Sequence, residues 1–317
     1  MSLISNTEAL ELLQDNNCPG VTSRFLDLLS RACAARELHS GRKIEMCSIV
    51  NARCGNCTEN CAFCAQSARS KAPIHTWDIL SADEIVKGAE NASKAGARRY
   101  GIVTSGRSVG KGKELDVLCD AIQRIRKNLD ILPCASLGIL SEEVLLILKE
   151  AGLERYHHNL ETAESFFPSV CSTRKYEDQT RTVKLAKKAG LSVCSGGIFG
   201  LGESNEQRIE LLDCIRSLGV DSVPINFLNA IPGTPLEHAE ALTPSQCLRI
   251  IAVAKLMMPS VSIRICGGRE KNLRDFQSWI FAAGADSFMT GGYLVTPGRD
   301  RSSDLQMIRD AAMTLLQ

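Results

Sequence analysis

The 317-residue sequence contains no run of apolar residues near the ~18–20 needed to span a bilayer as a helix, so no membrane-spanning helix is expected. It has no excess of one charge: 37 Lys+Arg face 36 Asp+Glu, a formal net charge of +1. Neither a basic face for nucleic acid nor an acidic solvating tail is therefore expected. The opening stretch, MSLISNTEALELLQDNN, lacks the basic start and apolar core of a signal peptide, which points to a soluble, cytoplasmic protein. No Pro/Ser-rich linker or low-complexity tract divides the chain. What remains, at 44% hydrophobic residues, supplies enough apolar surface for one large domain or two ordinary ones.

Cysteine, by contrast, is abundant, with 14 in the chain. A secreted disulfide scaffold is normally much shorter, and in a reducing compartment clustered cysteines more often serve metal or redox chemistry. Scattered ones are usually small core residues.

Eight short apolar runs, from KIEMCSIV to DSFMTGGYL, each precede a helical pattern. Ser81 and Glu84 stand at capping-box spacing, and Ser141 precedes two acids. Five helical patterns end in glycine (Gly96, Gly152, Gly190, Gly219, Gly284), the residue best suited to a left-handed helix stop. The last two patterns, LRDFQSWIFAAG and SSDLQMIRDAAMTLL, are predicted helical throughout. Eight strand–helix units predict an α/β fold, a (β/α)₈ TIM-type barrel over residues 41–317, with residues 1–40 as a helical extension. An open doubly wound sheet is the alternative, and the count of eight favours the barrel. In a barrel, chemistry sits at the C-terminal strand ends. Cys134, Asn159, Glu161, Cys194, Asn226, Arg264 and Cys266 all fall at or near such ends.

CGNCTENCAFC, residues 54–64, holds Cys54, Cys57, Cys61 and Cys64. Structural zinc usually takes two ligand pairs on separate knuckles, and the gap between Cys57 and Cys61 is cramped for that. A ferredoxin cluster would use a C-x₂-C-x₂-C run with a distant fourth cysteine. Here the run is C-x₃-C-x₂-C, from Cys57 through Cys61 to Cys64. Three thiolates on a four-iron cube leave one iron open for chemistry.

This loop resembles that of the radical S-adenosylmethionine superfamily. The resemblance implies a [4Fe-4S] cluster on Cys57, Cys61 and Cys64, with S-adenosylmethionine on the open iron and reductive cleavage to a 5′-deoxyadenosyl radical. Cys54 becomes a spectator, and Phe63 takes the place of an aromatic near the adenine. Further along, YHHNLET, STRKY, VCSGGIFGLGE, VPINFL, GTPL, AVAKLMMP and IRICGGRE together resemble the biotin synthase family, in constant order from about residue 45 to 300. That resemblance implies conversion of dethiobiotin to biotin, with sulfur from a second, sacrificial iron–sulfur cluster inside the barrel. Asn159 and Asn226 would bind the ureido ring, Glu161 the ribose hydroxyls and Arg174 the S-adenosylmethionine carboxylate. An electron donor such as flavodoxin or ferredoxin, iron–sulfur assembly proteins and a homodimer are implied partners.

The sequence departs from the family in its second cluster. Most members use three cysteines and one arginine; Cys134, Cys194 and Arg264 match, but the second-strand cysteine is replaced by Gly101. Cys266 stands two residues from Arg264 and faces the same way on a strand. Either Cys266 replaces the missing ligand on a two-iron cluster, or Cys134, Cys194 and Cys266 hold a four-iron cluster whose fourth iron carries an extra sulfide. The second is favoured, because moving a ligand from the second strand to the seventh would distort a compact two-iron site. Other readings are a hydrogenase-maturase-like or methylornithine-synthase-like enzyme on the same barrel, or an iron–sulfur carrier, which would need no ureido site.

Several features are set aside. GRSVGKGK (106–113) lacks P-loop spacing and reads as a solvated loop. His157 and His158 are adjacent and would point to opposite faces, so neither is assigned. Cys18, Cys33, Cys119, Cys214 and Cys247 read as core fillers on helices, and Cys47 lies mid-strand. Cys171, after the fourth strand, is the one ambiguous extra.

Overall fold

A computed structural model describes residues 3–14 and 20–316; Cys18 lies outside them. The alternation of short apolar runs with helices becomes a closed parallel barrel. Its strands are β1 (Lys43–Arg53), β2 (Arg99–Thr104), β3 (Leu132–Ser136), β4 (Arg155–His157), β5 (Ser192–Cys194), β6 (Gly197–Phe199), β7 (Ser222–Phe227), β8 (Ser262–Ile265) and β9 (Ser287–Met289). Pairing runs round the ring, and β9 returns to β1, so the sheet is closed rather than open and doubly wound. The fifth stave is divided: Ser195 and Gly196 leave the ladder after β5, and β6 resumes against β7.

Helix ends follow the local chemistry. The helix Ala82–Lys94 starts on a reciprocal capping box, Glu84 N–H donating to Ser81 Oγ at 3.3 Å and Ser81 N–H to Glu84 Oε2 at 2.8 Å. The helix Asn205–Leu218 stops at Gly219, whose φ of 60° is left-handed. The helices Asn6–Leu13 and Ser23–Ser40 pack on the helix Pro244–Met257, outside the barrel.

Two helical expectations are corrected. LRDFQSWIFAAG breaks into a 3₁₀ turn, Arg274–Phe276, and a short helix, Trp279–Ala282. Arg274, at φ 49°, interrupts it. The terminal helix ends at Asp310, and β10 (Thr314–Leu315) pairs in parallel with the start of β1. Lys43 and Ile44 offer an unpaired backbone edge there, and a ladder satisfies more groups than a further frayed turn.

A buried ion pair ties the C-terminal segment over the barrel mouth. Arg269 donates from Nη2 to both Asp304 oxygens at 2.6 Å and from Nε to Tyr293 Oη at 3.1 Å; Thr290 Oγ1 donates to Asp304 at 2.9 Å. Both charged side chains are fully buried. Asp304→Ala would strand the guanidinium, and an unfolding loss of ~3–5 kcal/mol in urea titration is expected. A loss within ~0.5 kcal/mol, as at an unremarkable surface site, would show that the pair does not hold this segment.

Candidate active site

The C-terminal strand ends surround a cavity of about 390 Å³. Its polar residues form two tiers.

The upper tier is the loop after β1. Gly55 starts it at φ 82°, where a Cβ would meet Thr76 Cγ2 at 2.4 Å, so only glycine fits. Cys57 N–H donates to Gln66 O at 3.0 Å and Ala68 N–H to Cys57 O at 2.8 Å, curling the loop so that Cys57, Cys61, Phe63 and Cys64 line the cavity. Cys54 does not line it, and its backbone exchanges hydrogen bonds with Trp77 at 3.1 and 3.2 Å. Burial pushes the Cys64 thiol up to about 11. A hydrogen bond with Cys171, then burial, holds Cys61 protonated, so loading metal onto these thiols must release protons.

The loop is laced to the segment after β4. Ala62 N–H donates to Val170 O at 2.9 Å, and Asn60 Oδ1 accepts from Ser172 N–H at 3.0 Å and Thr173 N–H at 3.2 Å. This places Arg174 Nη2 at 3.3 Å from Cys61 Sγ and 3.5 Å from Glu161 Oε1. Arg107 adds a further tie, donating to Glu59 and Thr173 O at 3.1 Å and to Asp178 at 3.2 Å. The loop read as merely solvated therefore braces the cysteine loop. Cys171 touches Cys61 and Asn60 but does not line the cavity, so it belongs beside the upper tier.

Between the tiers stand Asn159, Glu161 and Asn226. Asn159 Nδ2 donates to Glu161 Oε2 at 3.4 Å, while its Oδ1 is buried without a partner. Arg174 Nε is likewise buried and unpaired. Asn226 is fixed by donating to Gly197 O at 3.1 Å and accepting from Gly267 N–H at 3.0 Å, which leaves one N–H and one lone pair for a ligand. His157 and His158 both border the cavity, since β4 ends at His157 and strict alternation ends with it. His158 is pushed down to about 3, chiefly by burial, and is neutral at pH 7.

The lower tier holds Cys134, Cys194, Cys266 and Arg264, all buried and lining the cavity. Arg264 donates from Nε to Ser287 Oγ at 2.8 Å, from Nη2 to Glu45 at 2.5 Å and from Nη1 to Cys194 Sγ at 3.7 Å. Burial opposes ionisation of Cys194, yet Arg264 and a hydrogen bond from His157 outweigh it and bring the thiol down to about 6. Burial pushes Cys134 and Cys266 up. Gly101, paired with Cys134 across β2 and β3, offers no thiol.

Sequence reasoning missed Glu45, Cys47, Arg99 and Arg155, which also face this chamber. Residue parity along β1, β2 and β4 was the available signal. Among the described residues, no three His, Cys, Asp or Glu side chains converge on a single metal ion. A polynuclear cluster spreads its thiolates over several irons, so two sets of three cysteines, with unpaired Arg174 Nε and Asn159 Oδ1 between them, suit two clusters and a polar ligand.

Comparison with known proteins bears on both tiers. Residues 53–215 match the model of the radical SAM superfamily, and residues 224–314 that of the biotin and thiamin synthesis associated domain. A biotin synthase of Geotalea uraniireducens is 52% identical over 307 residues, 97% of this chain and 92% of that protein. One of Geobacter sulfurreducens is 50% identical over 316 residues, 100% of this chain and 94% of that protein. Among solved structures, methylornithine synthase superposes with a TM-score of 0.85 at 19% identity, covering 100% of this chain and 95% of that one. The FeFe-hydrogenase maturase HydG from Carboxydothermus hydrogenoformans follows at 0.84 and 17%, covering 99% of this chain and 76% of that one.

Proposed function

The chain belongs to the biotin synthase family of radical S-adenosylmethionine enzymes, and from there we propose that its two cysteine tiers hold two clusters with different tasks. The family reaction inserts sulfur into dethiobiotin to form biotin, using a [4Fe-4S] cluster, S-adenosylmethionine and an electron donor. The hydrogenase-maturase and methylornithine-synthase likenesses extend to the fold alone.

Cys57, Cys61 and Cys64 hold the radical-generating cluster at the mouth, and Cys134, Cys194 and Cys266 hold the sulfur-donating auxiliary cluster below, beside Arg264. The observation that carries this reading is one cavity lined by both cysteine sets and by Asn159 and Asn226. When bound, the upper cluster and S-adenosylmethionine supply a radical able to take hydrogen from unactivated carbon. The protein's residues do the rest. Arg174 binds the S-adenosylmethionine carboxylate through its unpaired Nε. Glu161 receives the ribose hydroxyls, and Phe63 flanks the adenine. Asn159 and Asn226 orient the ureido ring so that the carbons to be attacked lie between radical and sulfur. Barrel walls shield the radical from dissolved oxidants and from stray hydrogen donors such as thiols.

The auxiliary cluster is read as a four-iron type with an extra sulfide, because no thiol stands on β2 to complete the usual two-iron set. The family resemblance adds a homodimer, a cytoplasmic location, iron–sulfur assembly proteins and a flavodoxin or ferredoxin as reductant. Anaerobic reconstitution with iron and sulfide, followed by Mössbauer spectroscopy and single-turnover biotin analysis, tests the two-cluster assignment. One cluster type only, with no biotin formed, would refute it.

Asn226→Ala should weaken dethiobiotin binding by ~1–3 kcal/mol, since a buried polar partner goes unpaired. Substrate-free S-adenosylmethionine cleavage should persist. Equilibrium binding by calorimetry reads the first effect, and unchanged affinity would displace the ureido site from Asn226.

A further inference from the structure

One thiol in the lower chamber has no task in this scheme. Cys47 lies on β1, whose alternation turns Glu45, Cys47 and Ile49 inward: Glu45 bonds Arg99 and Arg264, while Cys47 and Ile49 line the cavity. Cys47 is 5% exposed, and its thiol makes only a 3.9 Å contact to the carbonyl of Ser48. Cys266 is in the same condition, with a 3.8 Å contact to the Arg264 carbonyl, while Cys134 adds a hydrogen bond with Arg99 to its 3.8 Å contact with the Leu132 carbonyl. Cys47 lines the chamber together with Cys134, Cys194, Cys266 and Arg264. Four thiols, from β1, β3, β5 and the end of β8, thus surround one guanidinium.

Sterics and charge both assign Cys47 a role. A Cβ at Gly101 would stand 3.1 Å from Ile49 Cγ2, so β2 has ceded this space to β1. The thiol that β2 lacks is offered two residues before Ile49 on the adjoining strand. Three buried guanidiniums, Arg99, Arg155 and Arg264, are faced in the chamber by one carboxylate, Glu45, whose side chain is 15% exposed. Glu154 reaches Arg99 only at 3.9 Å, from a side chain 38% exposed. The chamber therefore carries a surplus of two positive charges, which burial makes unfavourable unless matched. A doubly positive iron–sulfide core on three thiolates supplies one negative charge; a fourth anionic sulfur supplies the second.

We propose that Cys47 is the fourth sulfur ligand of the auxiliary cluster, taking the iron left open by Cys134, Cys194 and Cys266 whenever no extra sulfide occupies it. This rests on the auxiliary-cluster reading above. When Cys47 binds, its S–H bond breaks, an Fe–S bond forms and the proton passes to water. On reloading, hydrogen sulfide displaces Cys47: hydrosulfide stays on the iron and the other proton returns to the Cys47 sulfur. No electrons change hands in either step, and four anionic sulfurs face the guanidiniums in both states.

The test uses the full chain with Cys57, Cys61 and Cys64 replaced by alanine, so that remaining iron belongs to the lower chamber. The protein is reconstituted anaerobically, desalted to remove free sulfide and compared with and without Cys47→Ala by Mössbauer spectroscopy. With Cys47 present, all four irons should show sulfur coordination. After Cys47→Ala, one iron in four should shift to a site with a non-sulfur ligand, and sodium sulfide should restore uniformity. Cys47→Ser, which keeps the volume filled, should show the same distinct iron, with circular dichroism matching the parent. A distinct iron already present with Cys47 intact, or a uniform spectrum surviving both substitutions, overturns the proposal and leaves the auxiliary cluster standing. A chain that retains no iron with Cys47 intact overturns both.

Discussion

Simultaneous replacement of Cys57, Cys61 and Cys64 by alanine is expected to abolish reductive S-adenosylmethionine cleavage and to lower iron from about eight to about four per chain. Cys54→Ala should leave both unchanged. The contrast follows from where the thiols stand. The three line the cavity beside Arg174, whereas Cys54 is buried outside it and pairs through its backbone with Trp77. Removing all three leaves no cavity-lining thiol at the mouth, and Cys171, which stands beside the loop outside the cavity, cannot hold a cube alone. Iron analysis with a 5′-deoxyadenosine assay reads both effects. Loss of cluster iron in the Cys54 variant would overturn this ligand set.

Cys266→Ser should abolish biotin formation while S-adenosylmethionine cleavage continues. Cys266 is 2% exposed and sits in the lower tier with Arg264 and Cys194. A hydroxyl keeps nearly the same volume but ionises far less readily than a thiol, so it is a poor iron ligand. Arg174 and the upper cysteines stand in the other tier, with Glu161 between the two, and are untouched. Single-turnover analysis should give 5′-deoxyadenosine without biotin, and biotin at the native yield would remove Cys266 from the sulfur-donor site. A two-iron ferric centre in the native Mössbauer spectrum would replace the four-iron assignment while preserving a role for Cys266.

The features legible in the sequence are those whose causes are local. Capping at Ser81, the left-handed stop at Gly219 and the spacing of Cys57, Cys61 and Cys64 each depend on residues within a few positions. The broken fifth stave was not legible, because it depends on a contact between distant residues. A Cβ at Gly196 would lie 1.9 Å from Pro224 O, so β5 and β7 approach there more closely than side chains allow. Nor was β10, whose partner Lys43 lies far back in the chain. The lower chamber falls between these cases. Cys134, Cys194 and Cys266 were found through their strand-end positions. For Arg99, Arg155 and Cys47 strand parity gives the inward face, and closure of the barrel is what shows which groups they meet there.

The ring has a seam, and it is β1. The strand leading into the cysteine loop takes its partners from β2, β9 and β10, and two of these three are supplied by residues 287–315. Synthesis proceeds from the N-terminus at ~5–20 residues per second. The first seam residue, Ser287, follows Cys266 by 21 positions, so all six cysteines of the two tiers, and Cys47, have been made ~1–4 seconds before it. In that interval the lower chamber is open along one side, as wide as a missing strand. Afterwards the way in runs past the mouth, between Asn159, Asn226 and the upper loop. Delivery of iron and completion of the chain are thus in a race. A barrel that shuts empty is filled through that mouth.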